Sequence, residues 1–134
     1  MKLNKLLCFI IFLIPVLASG QSSEAAPGDT VKVEMGSARF IPSKVEVTVG
    51  QTVQWTNTTL VAQTVTADSA FASAPDNVQL PEGAQPFHSG RMNPGGIYSY
   101  TFTVPGTYRY FSIPYQGASM VGEIVVVPQK KENQ

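Results

Sequence analysis

Apart from Cys8 near the start, the softer metal donors this chain could offer are a single histidine, His88, and three methionines beyond the initiator, Met35, Met92 and Met120. An imidazole beside thioethers could hold Cu(I), because soft ligands select that ion. His88 and Met92 stand close in sequence, but Met35 and Met120 fall in separate segments, and the spacing matches no zinc pattern. The expectation is an exposed loop histidine and methionines that fill gaps in a core. Hydrolytic chemistry is no better supplied. Ser112 has no histidine near it in sequence to act as base, and Asp68, Asp76 and Glu82 are too scattered for a paired acid–base site. Asn57-Thr-Thr59 fits a glycosylation sequon, although an asparagine there could equally tie neighbouring loops together. The aromatics Tyr98, Tyr100, Phe102, Tyr108, Tyr110 and Phe111 could form a binding platform, but alternation along strands would place half of them in a core.

The chain that must position these residues has 134 amino acids, enough for one domain and a leader. Residues 1–20 read as a secretory signal peptide: Lys2 and Lys5, an apolar run from Leu6 to Leu17, then Ala18-Ser-Gly20 at the exit. A retained anchor is the alternative, but the run is short for a membrane span and Pro15 interrupts it. Cys8, the only cysteine, lies inside that leader, so the exported chain would carry no disulfide and no thiolate. Of nine Lys and Arg, two leave with the leader; against nine Asp and Glu the remainder is −2. Nothing here is basic enough for nucleic acid, which is bound through clustered positive charge. Lys130-Lys131 reads as part of a polar tail, 129–134.

Residues 21–29 are small and polar and read as a flexible lead-in. Beyond them, β-type runs alternate with turn signals, and no segment keeps a helical period. Thr30–Met35, Lys44–Val49, Thr52–Thr56, Gln63–Thr66, Ile97–Thr103, Gly106–Phe111 and Gly122–Val127 all read as strands. Residues 71–86 read as a surface excursion with one short helical turn. The pattern predicts an all-β sandwich over 30–128, a single domain.

Several motifs in order are similar to one family. Phe40-Ile-Pro-Ser-Lys-Val-Glu-Val-Thr-Val-Gly50 looks like its first hairpin. Trp55-Thr-Asn-Thr-Thr-Leu-Val-Ala-Gln-Thr-Val65 resembles its strand and loop leading to a first metal ligand. Phe87-His-Ser-Gly90 resembles its Phe-Asp-Ser-Gly turn, and Pro105-Gly-Thr-Tyr108 its Pro-Gly-Thr-Tyr corner, where Tyr108 or Tyr110 would anchor a Greek-key crossover. The loop 112–120 has the spacing of its ligand loop, Cys-x2-His-x4-Met. The chain thus resembles the plastocyanin-like cupredoxins, blue type 1 copper proteins with a Greek-key β-sandwich.

The resemblance implies that Gln63, Ser112, Tyr115 and Met120 occupy the four copper-ligand positions. Such a site needs a thiolate and two imidazoles in a near-trigonal plane with a weak axial thioether. Here Met120 alone keeps the family's residue, and a lone thioether does not hold Cu(II). The expected function is that of an exported, secreted or periplasmic, non-enzymatic protein with no cofactor and no membrane span after leader removal. It would act as an interaction module whose former copper end (Ile113, Pro114, Tyr115, Gln116) docks a protein partner. The alternatives are a copper-handling or electron-transfer protein that uses a non-standard site through His88 and Met92, and an envelope protein without a partner. Gln63, Ser112 and Tyr115 are expected to close as a metal-free polar cluster, with Tyr115 as its lid.

Overall fold

A computed structural model describes residues 28–131. The leader and most of the lead-in therefore lie outside the described residues, as do the last three residues of the tail. Nine strands form two sheets: β1 Val31–Gly36, β2 Arg39–Ile41, β3 Lys44–Thr48, β4 Thr52–Asn57, β5 Thr66–Ala67, β6 Phe87–His88, β7 Ile97–Thr101, β8 Gly106–Phe111 and β9 Val121–Val127. The first sheet runs β2-β1-β4-β7 and the second β3-β9-β8-β5-β6. The longer strands β1, β3, β4, β7 and β9 follow the two-residue period that lets one face meet a core. Val33 and Met35 are buried between exposed Lys32 and Glu34. Val53, Trp55 and Asn57 on β4, and Gly122, Ile124 and Val126 on β9, are buried in alternation with half-buried neighbours.

The segment expected as a first hairpin is a crossing between sheets. β2 pairs antiparallel with β1, whereas β3 leaves to pair in parallel with β9. Ile41-Pro42, a cis peptide, sits at the crossing. Proline cannot donate to a ladder, so the chain changes sheets where a donor is missing. The irregular region after β5 contains two short 3-10 turns, Ser69–Phe71 and Pro75–Asn77, rather than one. Residues 102–103, read as strand from their alternation, lie beyond the end of β7.

Trp55 is the centre of the core. Its ring lies 5.3 Å from Tyr110, 5.9 Å from Tyr98, and 6.4 Å from both Phe87 and Phe102. The Tyr108 hydroxyl donates to the Val104 carbonyl at 2.7 Å and makes the corner that the sequence left between two tyrosines. Tyr110 lies wholly inside, and Gly122 faces it across the β8–β9 ladder. A Cβ at Gly122 would collide with the Tyr110 phenol, so that position admits only glycine without rearrangement.

Candidate functional site

One end of the sandwich gathers the ends of β1 and β4, the loop 58–63, the approach to β7 and the turn after β8. Asn57 ties it together. Its Nδ2 donates to the carbonyls of Val61 at 2.8 Å and Met92 at 3.0 Å, and its Oδ1 accepts from the Thr59 amide and hydroxyl. The side chain is fully buried with its amide nitrogen engaged, which makes it a loop tie and not an accessible sugar acceptor. Gln63 pairs with Met92 through both backbone hydrogen bonds, at 3.0 and 2.8 Å.

The Gln63 side chain is also fully buried. Its Nε2 donates to the Gly36 carbonyl at 3.1 Å and the Thr59 hydroxyl at 3.0 Å, with Asn57 Oδ1 at 3.5 Å. Its Oε1 has no partner. Ser112, equally buried, accepts from the Thr64 amide at 3.2 Å. Gln63 and Ser112 thus meet backbone or loop groups and not each other; residue 64 carries the link between them. Backbone bonds join the rest: Ser112 N–H to the Met120 carbonyl, Tyr115 N–H to the Ser112 carbonyl, Met120 N–H to the Tyr115 carbonyl. These bonds bring positions 112, 115 and 120 together through the turn Ile113–Ala118, beside residues 63 and 64. Met120 is buried in the core, and Tyr115 packs half-buried against it.

Two residues that the sequence did not single out organise this end. The Thr64 hydroxyl accepts from the Ile113 amide at 2.9 Å and meets the Thr66 hydroxyl at 2.8 Å, which in turn meets His88 Nδ1 at 2.8 Å. A file of hydroxyls therefore runs from the 112–120 loop to the one histidine. The His88 ring is exposed and stacks on Phe71, with centroids 4.5 Å apart. Met92 instead belongs to the hydrophobic core, so imidazole and thioether face different surroundings. Among the described residues, no group of three or more His, Cys, Asp or Glu is placed to hold a metal.

Of the expected docking residues, Pro114 is exposed and Ile113, Tyr115 and Gln116 are half-buried. The Gln116 side chain braces a neighbouring segment. Its Oε1 accepts from Ser73 N–H at 2.7 Å and Asn77 Nδ2 at 3.1 Å, and its Nε2 donates to the Phe71 carbonyl at 3.0 Å. Two apolar residues absent from the expected set stand out from the adjoining loop: Leu60 is 94% and Val61 51% exposed.

Chemically, positions 63, 112, 115 and 120 provide an amide oxygen, a hydroxyl, a phenol and a thioether. The first is hard and weak, and the second cannot form the copper–thiolate bond of a type 1 centre. The orphaned Gln63 Oε1 is the one buried side-chain acceptor among these four positions left without a proton donor, and one amide oxygen is no substitute for a thiolate and two imidazoles. This set does not fit type 1 copper.

The comparisons point one way. The model of the copper-binding protein family of plastocyanin and azurin matches residues 28–127. The chain is 30% identical over 135 residues to plastocyanin from Prochlorothrix hollandica, with 93% of this chain and 95% of that one covered. It is 36% identical over 103 residues to plastocyanin from Scenedesmus fuscus, covering 72% of this chain and 97% of that one. A Cu(I) form of an amicyanin variant superposes with a TM-score of 0.57 at 26% identity, covering 73% of this chain and 82% of that one.

Proposed function

We propose, from the premise that this chain belongs to the plastocyanin/azurin family of copper-binding proteins, that it no longer holds type 1 copper. It serves instead as a non-enzymatic, non-redox interaction module. The observation that supports this reading most is the state of positions 63 and 112: a buried amide tied to Gly36 and Thr59, and a buried hydroxyl tied to Thr64. In this reading Gln63, Ser112, Tyr115 and Met120 stand where a family member keeps its ligands. The end that once exchanged electrons becomes a contact surface for a protein partner. Leu60, Val61 and Pro114, with the open faces of Ile113 and Tyr115, offer apolar area around a rigid aromatic, a composition suited to docking. Gln116 contributes by holding the turn in place rather than by contact. The relatives and the leader-like residues 1–20 support export to the periplasm or beyond, and among the described residues no helix is long and apolar enough to cross a membrane.

Copper titration of the purified chain tests the reading, followed by optical and EPR spectroscopy. The native chain should show no intense visible band and no type 1 EPR signature; stoichiometric tight binding would overturn the proposal. The combined variant Gln63→His, Ser112→Cys, Tyr115→His should turn blue with copper. A folded triple variant that stays colourless would mean that these positions are not the ligand positions. The docking half is tested by cross-linking in envelope extract of the native host. One defined partner should be captured by the native chain and lost with Tyr115→Ala or Leu60→Asp; capture unaffected by both would refute this surface.

A further inference from the structure

The two sheets expose four edges, and three of them are blunted against further pairing. β2 has three residues, carries Arg39 and runs into the cis Ile41-Pro42 peptide. β3 carries Lys44 and Glu46 and begins two residues after Pro42, and β6 has only two residues. Short, charged or proline-flanked edges are the ordinary defence against strand addition. β7 carries no charge and is longer than β2 and β6, and Pro94 stands three residues before it, off the strand itself. Ile97-Tyr-Ser-Tyr-Thr101 is rich in β-branched and aromatic residues and ends its sheet, pairing with β4 alone among the described strands. Ile97 is 61% exposed, and Ser99 and Thr101 are exposed beside it. Tyr98 and Tyr100 point inward yet remain half-open, because no strand lies beyond them.

We infer that β7 is a self-association edge, paired antiparallel with the same strand of a second copy about a two-fold axis through Ser99. The sequence is self-complementary in that arrangement. Tyr98 of one copy faces Tyr100 of the other on the inner face, and Ile97 faces Thr101 on the outer face. Both are favourable cross-strand pairs. Electrostatics favour this occupant. No charged residue occurs from Met92 through Tyr108, so two copies bring no like charges together, while a charged segment would find no counterion. The interface satisfies its own symmetry, with one patch meeting itself, and it joins the β2-β1-β4-β7 sheets of two molecules into one. Five paired residues bury less than the roughly 1,000 Å² of a stable interface, so the dimer is weak and concentration-dependent.

Sedimentation velocity of the purified chain from about 10 µM to about 1 mM should show a shift from monomer towards dimer, the range appropriate to a small interface. Ser99→Lys places two ammonium groups at the axis and should leave the chain monomeric throughout, with an unchanged circular dichroism spectrum because Ser99 is exposed. As an independent measurement, Ser99→Cys should cross-link under mild oxidation, since facing residues of an antiparallel pair stand about 4.5–5.5 Å apart at Cα, within disulfide reach. Lys44→Cys on β3 should not cross-link above the native background. A strictly monomeric native chain at the highest concentration, or equal cross-linking of the two variants, overturns the proposal.

Discussion

At the scale of single residues, two neighbouring tyrosines on β8 have opposite values for stability. The Tyr108 hydroxyl is satisfied by Val104, whereas the Tyr110 hydroxyl is buried without a hydrogen-bond partner. Trp55 Nε1 is in the same position, close enough to ease ionisation of the Tyr110 phenol but short of hydrogen-bond geometry. Tyr108→Phe should therefore destabilise by about 1 kcal/mol, while Tyr110→Phe should be neutral or stabilising by about the same amount, because a desolvated orphan group is removed. Denaturant midpoints of the two variants check this directly. Burial, which outweighs the help from Trp55, pushes the Tyr110 phenol well above its ordinary range. The folded state then holds its proton more tightly than the unfolded state. Its contribution is intact below the ordinary phenol value, about pH 10, and falls as pH rises beyond it. Burial also raises Tyr98, with Tyr100 adding to the effect. Alkaline unfolding of Tyr110→Phe should thus be shallower than that of the native chain but not flat. Asn57→Ala should cost about 2 kcal/mol, since it removes one of the two donors to each of the Val61 and Met92 carbonyls, leaves the Thr59 amide without its acceptor and frees the 58–62 loop.

At the scale of elements, the β8–β9 ladder carries the tightest steric condition. Gly122→Ala should destabilise by about 1–3 kcal/mol through overpacking against Tyr110, and Tyr110→Phe in the same chain should relieve little, because the ring itself is in the way. Thermal denaturation of the single and double variants measures the coupling. The same strands show why most of the architecture could be read beforehand. Val45, Val47, Val53 and Trp55 alternate with polar residues, and that alternation survives folding because one face of each strand is buried. β2 and β6 were too short to register any period. Their existence depends on partners elsewhere: Arg39–Ile41 folds back on β1, and Phe87–His88 lies along β5. The site was legible in residue types at positions 63, 112, 115 and 120 but not in its bonding. Thr64 and Thr66 look like any threonines until Ile113 and His88 arrive beside them. Gln116 reads as a contact residue until Ser73 and Asn77 are brought to its amide. Such bonds join groups 22 to 49 residues apart, and no local pattern encodes them.

For the whole molecule, a metal-free clasp has a thermal consequence. A protein that gains stability from a bound ion loses it on chelation, in proportion to the logarithm of ion concentration over Kd. Here hydrogen bonds at Gln63, Thr64 and Ser112 close the end of the sandwich, so the melting temperature should be the same with copper, with EDTA and with neither. A rise on adding copper, read by calorimetry, would contradict the closed site.

The two parallel pairings in the sandwich also fix an order of events at biosynthesis. β1 joins β4 nearby, but β3 at Lys44–Thr48 has no neighbour in its sheet except β9 at Val121–Val127. Closing so long a loop is slow and must precede the contacts that reward it. Until the final strand has left the ribosome the second sheet lacks its middle, and a nascent chain stopped at residue 120 would remain pliant enough to be threaded through a narrow channel.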